Sequence, residues 1–484
     1  MTDMELRYRV GADWINGEQE AWADDTSPSD VREVLARYRL MSRAQVNRAM
    51  AAAVEAFGPW KAASPLVRAG HLSRAAELLR ARKAHIARTI SLENGKTLAE
   101  ATVEVEKSAD FLDFYAATAR MPSGGLIADG RPGTRGMAIP EPIGVIAMVT
   151  PWNDPMLTPA RKLGPALVSG CTVLLKPARE TPLAAEFLVQ ALVDAGLPPG
   201  VLNTVITDHA TFDEAVIAHP KLAGVTFTGS TPVGLGLSRR LAGRTVRLQT
   251  EMGGKNATVV LADADLDLAV ATIVGACFGQ AGQRCTATSR VLVEDAVHDT
   301  FLAKLLDAVA ALRLGHSLQP DTRLGPLVSR RQQAEVLGHI ARAREAGGAI
   351  VAGGEAPAGD EYAHGCFVLP TVVKDVTPDM PLWREEVFGP VVAVRRVADY
   401  DEAVAAVNDS DFGLSAALFT QNLARALGFI DAVDTGQVAI NLPTSGWDVH
   451  QPFGGFKESG SPFKEQGTEG LRFYTRTKMA AIRV

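Results

Sequence analysis

Apolar residues recur at three- and four-residue spacing between about residues 44 and 119, in AQVNRAMAAAVEAF, LVRAGHLSRAAELLRARKAHIARTI and LAEATVEVEKSADFLDFYAATAR, which predicts amphipathic helices with polar outer faces. From about 143 the pattern changes to short β-branched runs separated by helical ones: GVIAMV, a helix near 157–169, TVLLK, a helix over 182–195, VLNTVI, GVTFTG and a helix from 232. This alternation predicts βαβ units and a parallel sheet with helices on both faces. A second series follows the Gly253-Gly254 pair and predicts a second α/β domain from near residue 253: ATVVL, LDLAVATIVGACFG, SRVLVED, HDTFLAKLLDAVAAL, VVAVRRV, SAALFT and QVAIN. The Gly- and Pro-rich stretch 120–142, RMPSGGLIADGRPGTRGMAIPEP, and the strand-like end LRFYTRTKMAAIRV read as an arm outside either core.

At 484 residues, 47% hydrophobic and 21% charged, the chain exceeds one hydrophobic core and has the balance of a globular protein. A net charge of -6 provides no basic stripe for nucleic acid or anionic lipid, so neither is an expected partner. Met1 to Val10 lacks a signal-peptide apolar run, and no stretch reaches the ~18 apolar residues of a membrane span. A cytoplasmic protein is expected. Cys171, Cys277, Cys285 and Cys366 form no CxxC pair, so neither a disulfide framework nor a metal site is expected.

Two segments carry cofactor signals. GVTFTGSTPVGLGL reads as a strand, then Gly229-Ser230-Thr231, then Pro232 opening a helix, which suits a phosphate at the helix N-terminus. Only Gly229 and Gly234 match the ordinary dinucleotide fingerprint, and a plain capped turn is the competing reading. Lys176 ends the buried-strand run TVLLK, at the edge where open α/β sheets bind ligands; a solvated turn lysine is the alternative.

Three further segments carry candidate chemistry. In FGQAGQRCTATSR, Cys285 follows a Gly-rich turn and precedes a strand, which presents a thiol on a loop at the domain junction. Cys171 and Cys277 sit among apolar residues and read as inert, and Cys366 lies in a polar stretch without activating context. In LQTEMGGKN, Glu251 ends a strand beside two glycines and can serve as a general base. In VTPWNDP, Asn153 offers an amide donor for an oxyanion. Singly, Glu251 reads equally as a surface carboxylate and Asn153 as a turn residue; together the three supply nucleophile, base and oxyanion donor.

PWN, KPA, FTGST, EMGGK, GQRC, EEVFGP and PFGGFKESG occur in the order of the aldehyde dehydrogenase superfamily, which the chain resembles from WINGE at Trp14 to its end. The resemblance implies an α/β fold: a Rossmann-like cofactor domain (1–119 and 143–252), an α/β catalytic domain (253–457) and a small β oligomerisation flap (120–142 and 458–484). It implies an NAD- or NADP-dependent oxidation of a small-molecule aldehyde to an acid by a homodimer or homotetramer. Cys285 would form a thiohemiacetal and then a thioester, its oxyanion held by Asn153 and the Cys285 N–H, and Glu251 would activate the hydrolytic water. Lys176 and Glu386 would bind the riboses and Gly229, Ser230 and Gly234 would lie by the pyrophosphate, with Thr150, Trp152 and Phe388 along the cofactor cleft. The base Glu251 argues against a CoA-acylating member, and the intact trio against a non-catalytic scaffold.

Three positions depart from the family pattern. Arg179 stands where NAD-preferring members carry Glu, which leaves NAD against NADP open because Arg can accept a 2′-phosphate. Arg161 stands where members acting on plain aliphatic aldehydes commonly carry Trp, and resembles the arginine with which acid-semialdehyde members clamp a distal carboxylate. Arg284 and Ser445 would assist it; an ion pair of Arg161 with Asp154 is the competing reading, and non-acidic aldehydes the alternative substrates. Asp154 itself replaces an aromatic and has no account from sequence.

Overall fold

The computed structural model of the protein describes residues 4–483. A five-stranded parallel sheet runs in the order Arg247–Glu251, Leu222–Thr228, Val145–Val149, Thr172–Lys176, Leu202–Thr204. Ile146 and Met148 on one face pack with Leu72, Val105 and Leu163 from three helices, while Val145 and Ala147 on the other meet Val46 and Ala49 of the helix Arg43–Ala62. Covered on both sides, such a strand has no face for water, which is why GVIAMV and TVLLK are continuous and not alternating runs.

The second sheet has seven strands in the order Ala349–Ala352, Thr371–Lys374, Val391–Val397, Arg290–Glu294, Ala257–Val260, Ser415–Phe419, Gln437–Ile440, parallel except for the first pair. Met252–Asn256 alone separates the edge strand of the first sheet from Ala257–Val260 inside the second. A three-stranded antiparallel arm pairs Thr475–Arg483 with Thr134–Pro142, and that strand with Gly125–Ile127.

Residues 458–474 do not join the arm to which the sequence assigned them. Glu465 is buried under the first sheet, and Phe473 and Tyr474 enter its core, each ring stabilising that position by roughly 1.5–3 kcal/mol. The helical run around 66–90 breaks at Arg82 (φ -100, ψ 5) into Pro65–Ala81 and Lys83–Asn94. Two N-terminal hairpins, Tyr8–Val10 with Asp13–Ile15 and Trp22–Ser27 with Asp30–Arg39, precede the helices. Among the described residues no helix is long and apolar enough to cross a membrane.

Candidate active site

Strand register gathers the site. Val149 pairs with both Lys176 and Phe227, and Thr228 with Glu251. The segments leaving these strands therefore emerge at one carboxyl edge, which carries Asn153, Lys176, Ser230 and Glu251 together. The Thr150 N–H donates to the Lys176 carbonyl (3.1 Å) and the Gly229 N–H to the Glu251 carbonyl (3.1 Å), which fixes that edge. The second sheet presents its amino edge, because Asn256, Cys285 and Glu386 each precede one of its strands.

Cys285 is partly open, whereas Cys171, Cys277 and Cys366 are buried. Cys366, expected in a polar stretch, lies in the catalytic-domain core because Val368 beside it is drawn into that core. The loop of Cys285 is pinned from several sides. Asn256 Nδ2 donates to the carbonyls of Cys285 (2.8 Å) and Ala287 (2.9 Å), and the Thr444 hydroxyl to that of Thr286 (2.7 Å). Upstream, Gln280 and Ala281 both hold left-handed backbone, φ 52 and 54, a conformation that non-glycine residues keep only when their surroundings enforce it. Burial pushes the thiol up to about 12, with Arg161 opposing, so the resting sulfur is a neutral thiol that needs a base.

Glu251 is 2% exposed, and neither carboxylate oxygen has a hydrogen-bond partner among the described residues. Its Oε1 lies 2.5 Å from where a Cβ on Gly454 would stand, so glycine leaves it room. Burial, and then Glu465, push this carboxyl well above the ordinary range, against Arg161, Lys162 and Lys464. A carboxyl group raised in this way holds its proton more tightly than an ordinary one and is a stronger base once ionised.

Arg161, on the helix Leu157–Ser169, pairs through Nε with Glu465 at 2.9 Å and lies over the Phe453 ring at 5.0 Å. Asp154 is not its partner; Lys96 (3.2 Å) and Gln280 (3.1 Å) claim that carboxylate. Lys162 binds the same Glu465 and the Thr226 hydroxyl (2.8 Å). One carboxylate thus serves two cations, and the surplus charge of Arg161 is felt at both Cys285 and Glu251. Arg284 turns toward Glu100 (3.9 Å) and packs on Gly279. Ser445 is half-buried beside Thr444, and Asn153 is buried with its carbonyl accepting from Lys96 Nζ (2.8 Å).

The rest of the cleft fits a dinucleotide. Ser230 caps the helix Thr231–Leu241 without a side-chain cap bond; Pro232 has no N–H and the Val233 N–H donates to the Ser230 carbonyl (3.1 Å), so in the first turn the Thr231 N–H is the one left for a phosphate. Gly234 faces inward instead: a Cβ there would meet Met252 Sδ at 2.4 Å, so this glycine packs helix on strand and does not line the phosphate site. A Cβ on Gly253 would stand 2.1 Å from Glu386 Oε2, while the Gly254 N–H donates to Glu386 Oε1 (3.1 Å). Burial pushes the Glu386 carboxyl up to about 7. Trp152 and Phe388 meet edge to face at 5.2 Å, Phe388 at φ 55, and the buried Thr150 hydroxyl has no partner among the described residues. Lys176 is brought down to about 8 by burial and then by Arg179. The Arg179 guanidinium donates to the Thr207 carbonyl (2.8 Å) and its own carbonyl accepts from Tyr38 (2.9 Å).

Sequence reasoning missed Glu465, Lys162, Asn256, Thr444 and Lys96. Lys162 left a usable signal, since Arg161-Lys162 are consecutive cations inside the otherwise apolar LTPARKLGPALV. The other four sit in polar segments whose burial is created only by long-range packing.

A helix N-terminus and a buried carboxyl group on the carboxyl edge of one sheet, with a loop-borne thiol at the amino edge of a second, fit a dinucleotide-dependent oxidoreductase. The chain belongs to the aldehyde dehydrogenase family, whose model matches residues 14–480. It is similar to the alpha-ketoglutarate semialdehyde dehydrogenase of Haloferax volcanii, 39% identical over 479 residues (99% of each chain). It is 34% identical over 474 residues to the alpha-ketoglutaric semialdehyde dehydrogenase of Bacillus subtilis (98% of this chain, 97% of that protein). Among solved structures it superposes on Staphylococcus aureus betaine aldehyde dehydrogenase in complex with NAD+, with a TM-score of 0.96, 30% identity and coverage of 99% and 95%. The protein is therefore an aldehyde dehydrogenase, with NAD or NADP as the oxidant of its reaction.

Proposed function

We propose that the protein oxidises a carboxylate-bearing semialdehyde to the corresponding dicarboxylic acid, with Cys285 as nucleophile, Glu251 as base and Asn153 as oxyanion donor. Cys285 Sγ bonds to the aldehyde carbon and its proton leaves to Glu251 directly or through water. The new oxyanion accepts from the Asn153 amide and the Cys285 N–H, donors of a kind typically worth about 10² to 10³ in rate. A bound nicotinamide dinucleotide supplies the hydride acceptor. Glu251 gives the first proton up to solvent; water then attacks the thioester that remains on Cys285 as Glu251 removes its proton, the C–S bond breaks, and that proton returns the departing thiolate to the thiol. Lys176, Arg179, Ser230, Gly229, Thr150, Trp152, Glu386 and Phe388 hold and orient the dinucleotide.

The observation that carries this reading is the Glu251 carboxyl group, buried without a partner and sharing the field of Arg161 with Cys285. Burying a carboxyl group unpaired is costly, and groups perturbed in this way cluster at functional sites. Arg161, which shares Glu465 with Lys162, is the cation for the substrate's distal carboxylate, with Arg284 and Ser445 at the rim. The semialdehydes in the names of the Bacillus and Haloferax relatives support the same substrate class.

Turnover of a panel of aldehydes, followed as cofactor reduction with NAD and with NADP, tests the reading. An acid semialdehyde should exceed a neutral aldehyde of equal length in kcat/KM, and Cys285→Ala should abolish reduction without unfolding the chain. A preference for neutral aldehydes overturns the substrate assignment, and an active Cys285→Ala variant overturns the chemistry.

A homo-oligomer is part of the same proposal: the arm exposes Leu126, Ile127, Met479 and Ile482, an apolar surface suited to a second copy. A cytoplasmic setting is also proposed, on four free cysteines.

A further inference from the structure

Asp154 stands directly after Asn153 but takes no part in the chemistry above. Its Oδ1 accepts from Gln280 Nε2 (3.1 Å) and from Lys96 Nζ (3.2 Å). Lys96, with a fully buried side chain, also donates to Glu104 Oε2 (2.5 Å) and to the Asn153 carbonyl (2.8 Å). Glu104 in turn accepts the N–H groups of Met156 (2.9 Å) and Leu157 (3.1 Å), fixing the start of the helix that follows. The Asn153 loop is thus anchored to the helices Lys83–Asn94 and Leu98–Thr118 by a buried ammonium that touches two carboxylates and a carbonyl.

On the other side, Gln280 belongs to the strained turn that leads to Cys285. Its backbone N–H donates to Glu100 Oε1 (2.7 Å), and its side-chain amide reaches back to Asp154. Left-handed backbone at Gln280 and Ala281 is strained for non-glycine residues, and these external bonds hold the turn in place. The charged groups around the junction are Lys96, Glu100, Glu104, Arg161 and Arg284.

We propose that Asp154 is a positioning residue that ties the Cys285 loop to the Asn153 loop through Gln280, setting the distance at which thiol and amide meet one carbonyl group. The inference rests on the proposed roles of Cys285 and Asn153. Burial pushes the Asp154 carboxyl up, but Lys96, Arg284 and Gln280 outweigh it and keep it below its ordinary value. Asp154 is therefore an anion that also opposes ionisation of the nearby Cys285 thiol.

The test compares Asp154→Ala, Asp154→Asn and Gln280→Ala in the full-length enzyme. Steady-state kinetics are measured beside the pH dependence of Cys285 alkylation by iodoacetamide, read on the Cys285 peptide. Asp154→Ala and Gln280→Ala should each lower kcat about 10- to 100-fold with KM nearly unchanged, since a misplacement near 1 Å is enough for that loss. Asp154→Asn retains an acceptor oxygen and should restore most of kcat, while its alkylation profile moves to lower pH because the anion is gone. The double variant Asp154→Ala/Gln280→Ala should be no worse than either single change. Full kcat in Asp154→Ala, additive losses, or an alkylation profile in Asp154→Asn identical to that of the parent would each overturn the proposal. Cys285→Ser is the control: turnover there would sink the nucleophile assignment itself, whereas an inactive Cys285→Ser beside a fully active Asp154→Ala would sink the tie alone.

Discussion

Arg161 Nε and Glu465 Oε2 lie 2.9 Å apart with side chains 9% and 3% exposed, and Lys162 shares the same carboxylate. Arg161 therefore has a partner in the free enzyme and still carries charge to spare. Arg161→Ala should raise KM for acid semialdehydes about 10-fold or more, and should lower kcat for acidic and neutral aldehydes alike because its charge opposes protonation of Cys285 and Glu251. Arg161→Lys should recover only part of the effect, because an ammonium lacks the planar fork. An equal rise in KM for a neutral aldehyde of the same length would show that Arg161 organises the pocket and does not read the substrate's charge.

Glu251→Gln keeps the shape of the group and removes its basicity. Steady-state turnover should fall about 10²- to 10⁴-fold, while a burst of reduced cofactor survives if thiol addition can use water as base. Both the Cys285 thiol and the Glu251 carboxyl are raised by burial and inactive when protonated. Activity should therefore climb as pH rises from neutral into the alkaline range. A flat parent profile, or one unaltered by Glu251→Gln, would remove Glu251 from the base role.

Arg179 stands beside Lys176 and His209, and together the two cations lower the His209 imidazole after burial has done so. A 2′-phosphate is well matched to that corner. Arg179→Glu should weaken NADP binding at least about tenfold and leave NAD binding little changed, measured by titrating cofactor against intrinsic fluorescence. Equal weakening of both cofactors would mean that Arg179 serves the fold through Thr207 and not the ribose.

Asn256 holds two backbone carbonyls of the Cys285 loop and also accepts the Ser415 N–H (3.0 Å). Asn256→Ala leaves these buried groups unpaired, which should cost about 1–3 kcal/mol in urea denaturation and depress kcat along with it. Loss of stability with unchanged kcat would separate the loop's anchoring from its chemistry.

Asp25 is 3% exposed, contacts Glu93, and is pushed up to about 8 by burial, more than that contact lowers it. The folded chain retains a proton there that the unfolded chain releases above the ordinary carboxylate range. Stability contributed by this site is complete below a pH of about 4 and declines as pH rises toward about 8. Asp25→Asn should flatten that slope in melting curves taken across the interval; an unchanged slope would place the linkage elsewhere.

The parallel strands and most helices were legible because their burial is local in pattern: Val145–Val149 and Leu157–Ser169 are written as continuous and as periodic apolar runs. Cys285, Glu251 and Asn153 stood out as candidates because each stands where a strand or helix gives way to a loop. Glu465 was not, since nothing in SPFKEQG marks a carboxylate that lies 3% exposed against a helix some three hundred residues earlier. Asp154 was unexplained for the same reason: its partners Lys96 and Gln280 come from segments that meet it only in the folded chain.

The short link Met252–Asn256 begins at the carboxylate on one sheet and ends at the side chain that grips the sulfur-bearing loop on the other. Carboxylate and sulfur loop are thus joined through five residues of one continuous backbone. A side chain at Gly253 within this strap, whose Cβ would stand 2.1 Å from Glu386 Oε2, would therefore disturb the surroundings of both groups at once.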